Sequence, residues 1–378
     1  MTMKHSLGII CGGRSGEHEV SLRSASGIFR AIDRERLEPL LVGIAKDGTW
    51  HAGPAEELLD NADDPARISL KPGLPRYIPS GGGGRMVLRR DGQGPGPETL
   101  ELDVLLPIIH GTDGEDGALQ GMLRIFGAPF VGADVLGSAV GMDKDIMKRL
   151  LQMADLPIGR FAAFISPKKA REAFPRLAAE LGLPLFVKPS SMGSSVGVSR
   201  VDDEEGYRAA LEEAFRFDDK VVVEEALPGR EVECSVLGNR HSETWPPRAS
   251  RVGEIIPSQE LYGFYSYAAK YLDDNGAQLL IPAPITPGEE QRVQELAVRV
   301  FEVLECDGLA RVDFFLAQDG RVVVNEINSL PGFTPISMYP KLWEASGLSY
   351  TDLLTRLVEL ALERHARRAA LARDFTPA

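Results

Sequence analysis

Cysteine is scarce in this sequence. Only Cys11, Cys234 and Cys306 occur, too few and too far apart for a disulfide framework, and no CxxC spacing offers a zinc site. Long apolar runs are missing too: none approaches the roughly 20 residues that cross a bilayer. Basic residues are in deficit, with 42 Lys and Arg against 55 Asp and Glu and a formal charge of −13. That argues against nucleic-acid binding by phosphate neutralisation, and an anionic membrane surface repels such a chain. What is present is the composition of a globular protein: 378 residues, 43% hydrophobic and 26% charged. This length suits about two or three domains. The opening MTMKHSLGIICGG reads as a first strand rather than a signal peptide. A reduced cytoplasmic protein is expected.

Ser6 to Cys11 is a short apolar run ending at Gly12-Gly13. A helical pattern follows from about Ser21 to Ile32, and a second apolar run covers Pro39 to Ala45. This β-α-β unit predicts a parallel sheet. Lys71 to Leu100 is dense in Gly and Pro, including Gly81 to Gly84, and reads as a surface loop or irregular hairpin without chemistry. Leu102 to Ile109 is the next strand. Helices are expected over Asp143–Ala154, Pro167–Gly182, Pro287–Leu304 and Thr351–Arg373, with strands over Leu185–Lys188, Val221–Glu225 and Glu231–Leu237. Ala310–Leu316 and Val322–Ile327 form a hairpin through Asp319-Gly320.

That late hairpin carries the clearest chemistry. Strands alternate faces, so Arg311 and Asp313 share one side of the first strand, and Glu326 and Asn328 share one side of the second. Pairing brings two carboxylates, an amide and a guanidinium together, a hard-oxygen set suited to Mg²⁺ and phosphate. Polar alternation is also common on plain solvent-facing strands, but Val312, Phe314, Val322 and Val324 alternate against these positions and supply a core on the other face.

Lys188 ends a strand and opens KPSSMGSSVGVS, whose Ser and Gly donors can cradle an anion beside the lysine. The lysine precedes the glycines, so this is not a Walker A loop. GGRSGEHEVS, Gly12 to Ser21, sits at a helix start, where anions are favoured. A dinucleotide site is the rival there, with Asp33 downstream, but the spacing is GGxxG, and Glu17 and Glu19 would repel a pyrophosphate. Glu17 suits a ligand ammonium, or a plain interaction with the helix dipole. HGTDGEDG follows the third strand on the rim, and His110 is a base, a positioning residue or simply a turn histidine. His18 reads as structural or exposed. YGFYSYAAKY crowds aromatic residues around Lys270 without strand or helix periodicity, which suggests a lid or a satellite aromatic cluster.

Seven segments in order, GGRSGEHEVS, HGTDGEDG, MDKDIMK, KPSSMGSSVGVS, the FYxYxxKY loop, RVDFFL and NEINSLPGFT, resemble the D-alanine–D-alanine ligase family of the ATP-grasp superfamily. The resemblance covers nearly the whole chain. It implies an α/β ATP-grasp fold, α+β toward the C-terminus, with a Rossmann-like parallel-sheet domain at 1–132 and ATP-grasp subdomains at 133–227 and 228–378. It also implies ATP-dependent joining of two D-alanines through a D-alanyl phosphate, for peptidoglycan. By the same resemblance Lys144, Lys188 and Lys270 hold ATP phosphates and Ser194 also meets the nucleotide, while Glu224, Glu225 and Leu227 line the adenine and Glu231 takes the ribose. Asp313, Glu326 and Asn328 coordinate two Mg²⁺, with Mn²⁺ as a substitute. Arg311 and the Gly332 N–H form the oxyanion site. Glu17 and His110 lie with the first D-alanine and Ser337 with the carboxylate of the second. Glu17, Ser194 and Tyr271 link the lid to the site. A homodimer is implied, with small-molecule substrates and neither nucleic acid nor membrane as partner. The lid departs from the family in carrying Ser266 where an acidic residue is frequent.

Two rivals follow from these residues. A D-alanine–D-lactate ligase shares the fold and ATP chemistry, but Tyr271 argues against it. A nucleotide-binding protein without ligase activity, built on the first β-α-β unit, is the reading from another class.

Overall fold

Alternation along the first strand, His5–Gly12, divides its side chains between two cores. Leu7, Ile9 and Cys11 pack with Leu22, Ala25 and Ile28 of the helix His18–Ala31 and with Leu353 and Leu357 of the C-terminal helix Tyr350–Ala369. Ile10 points the other way, toward Leu119 and Leu123 of the helix Ala118–Phe126. Leu37–Ile44 and Val104–Pro107 flank this strand in parallel. The three form a parallel set at one edge of a seven-stranded sheet, with Val104–Pro107 outermost. The remaining order, outward from Leu37–Ile44, is Trp50–Gly53, Arg76–Gly82, Arg85–Asp91 and Thr99–Leu102, all antiparallel. The computed structural model describes residues 4–64, 67–93, 96–257, 277–334 and 336–372.

The sheet is therefore mixed rather than parallel throughout. The Gly/Pro-rich stretch is a regular hairpin, because Gly83 and Gly84 both take positive φ (61° and 79°), as a two-residue turn matching strand twist requires. Gly81 allows it to dock: a Cβ there would stand 2.5 Å from the Phe126 carbonyl oxygen.

Two antiparallel sheets follow. One has four strands in the order Phe161–Phe164, Val221–Glu225, Leu185–Pro189, Ser199–Val201. The other has five, in the order Ala277–Leu280, Arg248–Pro257, Gly229–Gly238, Gly308–Ala317, Val322–Asn328. Val232, Cys234, Val312, Phe314 and Val324 bury one face of the five-stranded sheet against the helix Pro287–Val303. Thr286 and Glu289 close a capping box at its start, with Pro287 in the first turn. The expected helix Pro167–Gly182 is instead two, Pro167–Glu172 and Phe174–Leu181. Pro175 has no N–H for the preceding turn, and its ring crowds that turn's carbonyl. Among the described residues no helix is long and apolar enough to cross a membrane.

Candidate active site

Between the four- and five-stranded sheets lies a cavity of about 550 Å³, within the usual range of small-molecule sites. Phe186, Lys188, Glu224, Glu225 and Leu227 line it from one side, and Glu231, Asp313 and Glu326 from the other. Lys144 and Ser194 line it as well. The adenine and ribose candidates thus share one cavity with the phosphate and metal candidates, although they come from separate parts of the chain.

Lys144 leads its helix, Lys144–Met153, because Asp143 caps it by accepting from the Ile146 N–H. Its ammonium donates to the Met192 carbonyl at 2.7 Å and lies 3.6 Å from Glu326 Oε2. Lys188 ends Leu185–Pro189 and donates to Glu224 Oε2 at 3.0 Å. Burial pulls the Lys188 pKa down, but the charges of Glu224 and Glu326 outweigh it and leave it raised. On the opposite side of the same carboxylate lies Lys148 Nζ, 3.4 Å from Glu224 Oε1 and only 2% exposed. Burial, with the Lys188 charge adding to it, lowers the Lys148 pKa.

The loop after Lys188 is held from below. Ser190 Oγ donates to Asp143 Oδ1 at 2.9 Å, the Ser191 N–H donates to Asp218 Oδ2 at 2.6 Å, and Lys220 Nζ lies 2.6 Å from Asp143 Oδ2. Ser194 and Ser195 adopt positive φ (52° and 59°), a conformation that costs a non-glycine residue strain and that clusters at functional sites. Ser194 Oγ then donates to Glu17 Oε1. Glu17 is buried at the start of the first helix. The twin glycines before it serve the chain itself. A Cβ on Gly12 would stand 2.3 Å from the Ile44 carbonyl oxygen, and Gly13 N–H donates to that oxygen at 2.8 Å. His18 is structural, its Nδ1 2.7 Å from the Gly13 carbonyl oxygen.

His110 is buried, its Nδ1 3.4 Å from Glu115 Oε1 and its Nε2 3.4 Å from Ser24 Oγ. Burial pulls the His110 pKa down, but the hydrogen bond and charge of Glu115, helped by Glu17, leave it raised. Burial raises Glu115 in turn, against the opposing effect of His110.

On the late hairpin, Arg311 pairs across the strands with Asn328 and Asp313 with Glu326. Arg311 Nε and Nη2 donate to the two Asp313 oxygens at 2.7 Å each, and Asn328 Nδ2 donates to Oδ2 at 3.0 Å. Burial opposes the Arg311 charge, but Asp313, Glu233 and Glu326 carry its pKa well above the usual value. Gly332 lies against Ser337: a Cβ there would stand 3.0 Å from Ser337 Oγ, which accepts from the Thr334 N–H. Lys270, Tyr271 and the rest of the expected lid lie outside the described residues.

The donor set fits a hard divalent cation: Asp313 and Glu326 are adjacent carboxylates that already attract Arg311 and Lys144, and turning the Asn328 amide over presents its oxygen. No group of three His, Cys, Asp or Glu among the described residues is arranged to hold an ion by itself. Mg²⁺ commonly takes its remaining ligands from phosphates and water. Sequence reading missed Lys148, Glu115, Lys220 and Glu233. The first two stand inside motifs it singled out, MDKDIMK and HGTDGEDG, but their roles depend on partners that local spacing does not reveal.

Residues 6–133 match the D-ala D-ala ligase N-terminus family and residues 150–359 the D-ala D-ala ligase C-terminus family. The chain is 52% identical over 365 residues to a D-alanine–D-alanine ligase of Shouchella clausii, covering 96% of each. It is 51% identical over 370 residues to D-alanine–D-alanine ligase A of Salmonella typhimurium, covering 97% of this chain and 98% of that one. Among solved structures, the D-alanine-D-alanine ligase of Coxiella burnetii superposes with a TM-score of 0.81 at 35% identity, over 97% of this chain and 96% of the other.

Proposed function

Because the chain belongs to the D-alanine–D-alanine ligase family, we propose that it joins two D-alanines with ATP, forming D-alanyl-D-alanine, ADP and phosphate. The product is a precursor of peptidoglycan. The observation that carries the reading is the gathering of Lys144, Lys188, Asp313 and Glu326 around one cavity of nucleotide size.

The adenine lies along Glu224 to Leu227 and the ribose hydroxyls meet Glu231. Lys144 and Lys188 take the phosphates, and Glu224 holds the Lys188 ammonium in place. Lys270 would join them from the lid. Glu17 receives the ammonium of the first D-alanine, whose carboxylate attacks the γ-phosphorus to give the acyl phosphate and ADP. The amine of the second D-alanine then attacks the acyl carbon, and the bond to the phosphate oxygen breaks. Arg311 and the Gly332 N–H hold the oxyanion that develops. Ser337 orients the second carboxylate. Asp313, Glu326 and Asn328 would hold two Mg²⁺, or Mn²⁺, which when bound neutralise charge on the transferring phosphoryl group. The acyl phosphate must be kept from water. Ser194 on Glu17, joined by Tyr271, would close the loop and lid over it.

The division at 1–132, 133–227 and 228–378 and a homodimeric state belong to the same reading. Limited proteolysis and sedimentation velocity test them.

A phosphate-release assay with D-alanine and ATP tests the activity. Release that depends on D-alanine is expected, and NAD binding without release would favour the non-ligase reading. With D-lactate added, dipeptide should dominate. Mainly depsipeptide near neutral pH would overturn the choice of nucleophile. Glu326→Ala should abolish turnover with the fold retained.

A further inference from the structure

Three carboxylates stand in one row across three neighbouring strands. Glu233 pairs with Asp313, and Asp313 pairs with Glu326. The next row on the same face is Ser235, Arg311 and Asn328. Asp313 is already engaged: both its oxygens accept from the Arg311 guanidinium, and Oδ2 accepts from Asn328 as well. A cation bound to Asp313 competes with the guanidinium for the same two oxygens, and two positive centres would then share one carboxylate. Arg311 is itself mostly buried, so losing its anion would leave a charge with little water to compensate it. Glu233 supplies a second anion at the right place. Its Oε2 lies 2.9 Å from Arg311 Nε, and its side chain is 6% exposed. Glu326 and Glu233 therefore flank Asp313 on opposite strands, one toward Lys144, the other toward Arg311.

We propose that Glu233 is the positioning residue for Arg311, holding its guanidinium in the site when Asp313 turns its carboxylate to a divalent cation. The proposal rests on the reading of Asp313 as a cation ligand given above. Glu233 acts through Arg311 and does not itself bind the cation. Its loss makes Arg311 compete with the cation for Asp313.

The test is a double-mutant cycle on Mn²⁺ affinity, read by electron paramagnetic resonance of the full chain with ADP and no turnover. Glu233→Gln should weaken Mn²⁺ binding about tenfold when Arg311 is present, and by less than about twofold in the Arg311→Met background. Equal weakening in both backgrounds would make Glu233 a ligand or a general source of charge, and would overturn the proposal. No weakening in either background would overturn it as well. Melting temperatures of all four proteins are compared. Should Arg311→Met not fold, a crystal structure of the wild-type enzyme with ADP and Mn²⁺ decides. Arg311 is expected on Glu233 with its fork to Asp313 opened, and an intact fork with the cation bound overturns the proposal. Failure of the wild-type enzyme to bind Mn²⁺ would overturn the cation reading and this proposal together. Mn²⁺ binding without coupling would overturn the role of Glu233 alone.

Discussion

The Lys188 ammonium reaches Glu224 diagonally across two antiparallel strands, donating to its carboxylate at 3.0 Å. Lys148 approaches the same carboxylate from its helix, so one buried anion holds a buried cation and a partly buried one. Glu224→Ala would leave both lysines without their carboxylate. Removing one partner of a buried charge group costs about 3–5 kcal/mol. Urea unfolding should show a loss of that order. A loss under about 1 kcal/mol would mean that water compensates these lysines, contrary to their burial.

Ser194→Ala removes the hydroxyl that ties the phosphate loop to Glu17. A hydrogen bond to a charged group contributes about 1.5–3 kcal/mol, so KM for the first D-alanine should rise at least about tenfold. KM for ATP should move less. A change confined to ATP would place Ser194 on the nucleotide alone.

The His110 pKa is raised above its usual value, so the folded state favours the imidazolium. Its contribution to stability is complete below the unfolded pKa and is lost as pH rises through the folded one. Melting temperatures of the wild-type protein and His110→Gln should therefore differ most at mildly acidic pH and converge as pH rises. A gap that widens with pH would reverse the assignment.

Gly12→Ala and Gly16→Ala separate the two roles a glycine can have in GGRSGEHEVS. Gly12 has φ of 88° and no room for a Cβ against the Ile44 carbonyl, whereas a Cβ on Gly16 meets nothing within 4 Å. Gly12→Ala should cost more than about 2 kcal/mol, and Gly16→Ala less than about 0.5 kcal/mol. Equal effects in thermal unfolding would show that the first strand's end rearranges freely.

Much of the molecule follows from short-range chemistry. Period-two alternation put Arg311 with Asp313 and Glu326 with Asn328, and the two strands do pair in that register. Apolar runs and caps placed the first strand, its helix and the helix Pro287–Val303 within a few residues. Where local reading erred, a local cause was present but underweighted: Pro175 splits one expected helix, and Gly83-Gly84 make a regular hairpin from what reads as a surface loop or an irregular hairpin.

The sequence by itself determined the motifs, the residue types at each strand end and the family they belong to. Those depend on backbone preferences and on spacings of two to four residues. Only the tertiary structure decided which charges meet. Ser194 and Glu17 are 177 positions apart, Lys188 and Glu224 are 36 apart, and Glu233 lies on a strand with no motif of its own. An ion pair buried between sheets is chosen by strand register and by the exclusion of water, and neither is written in the residues flanking either partner.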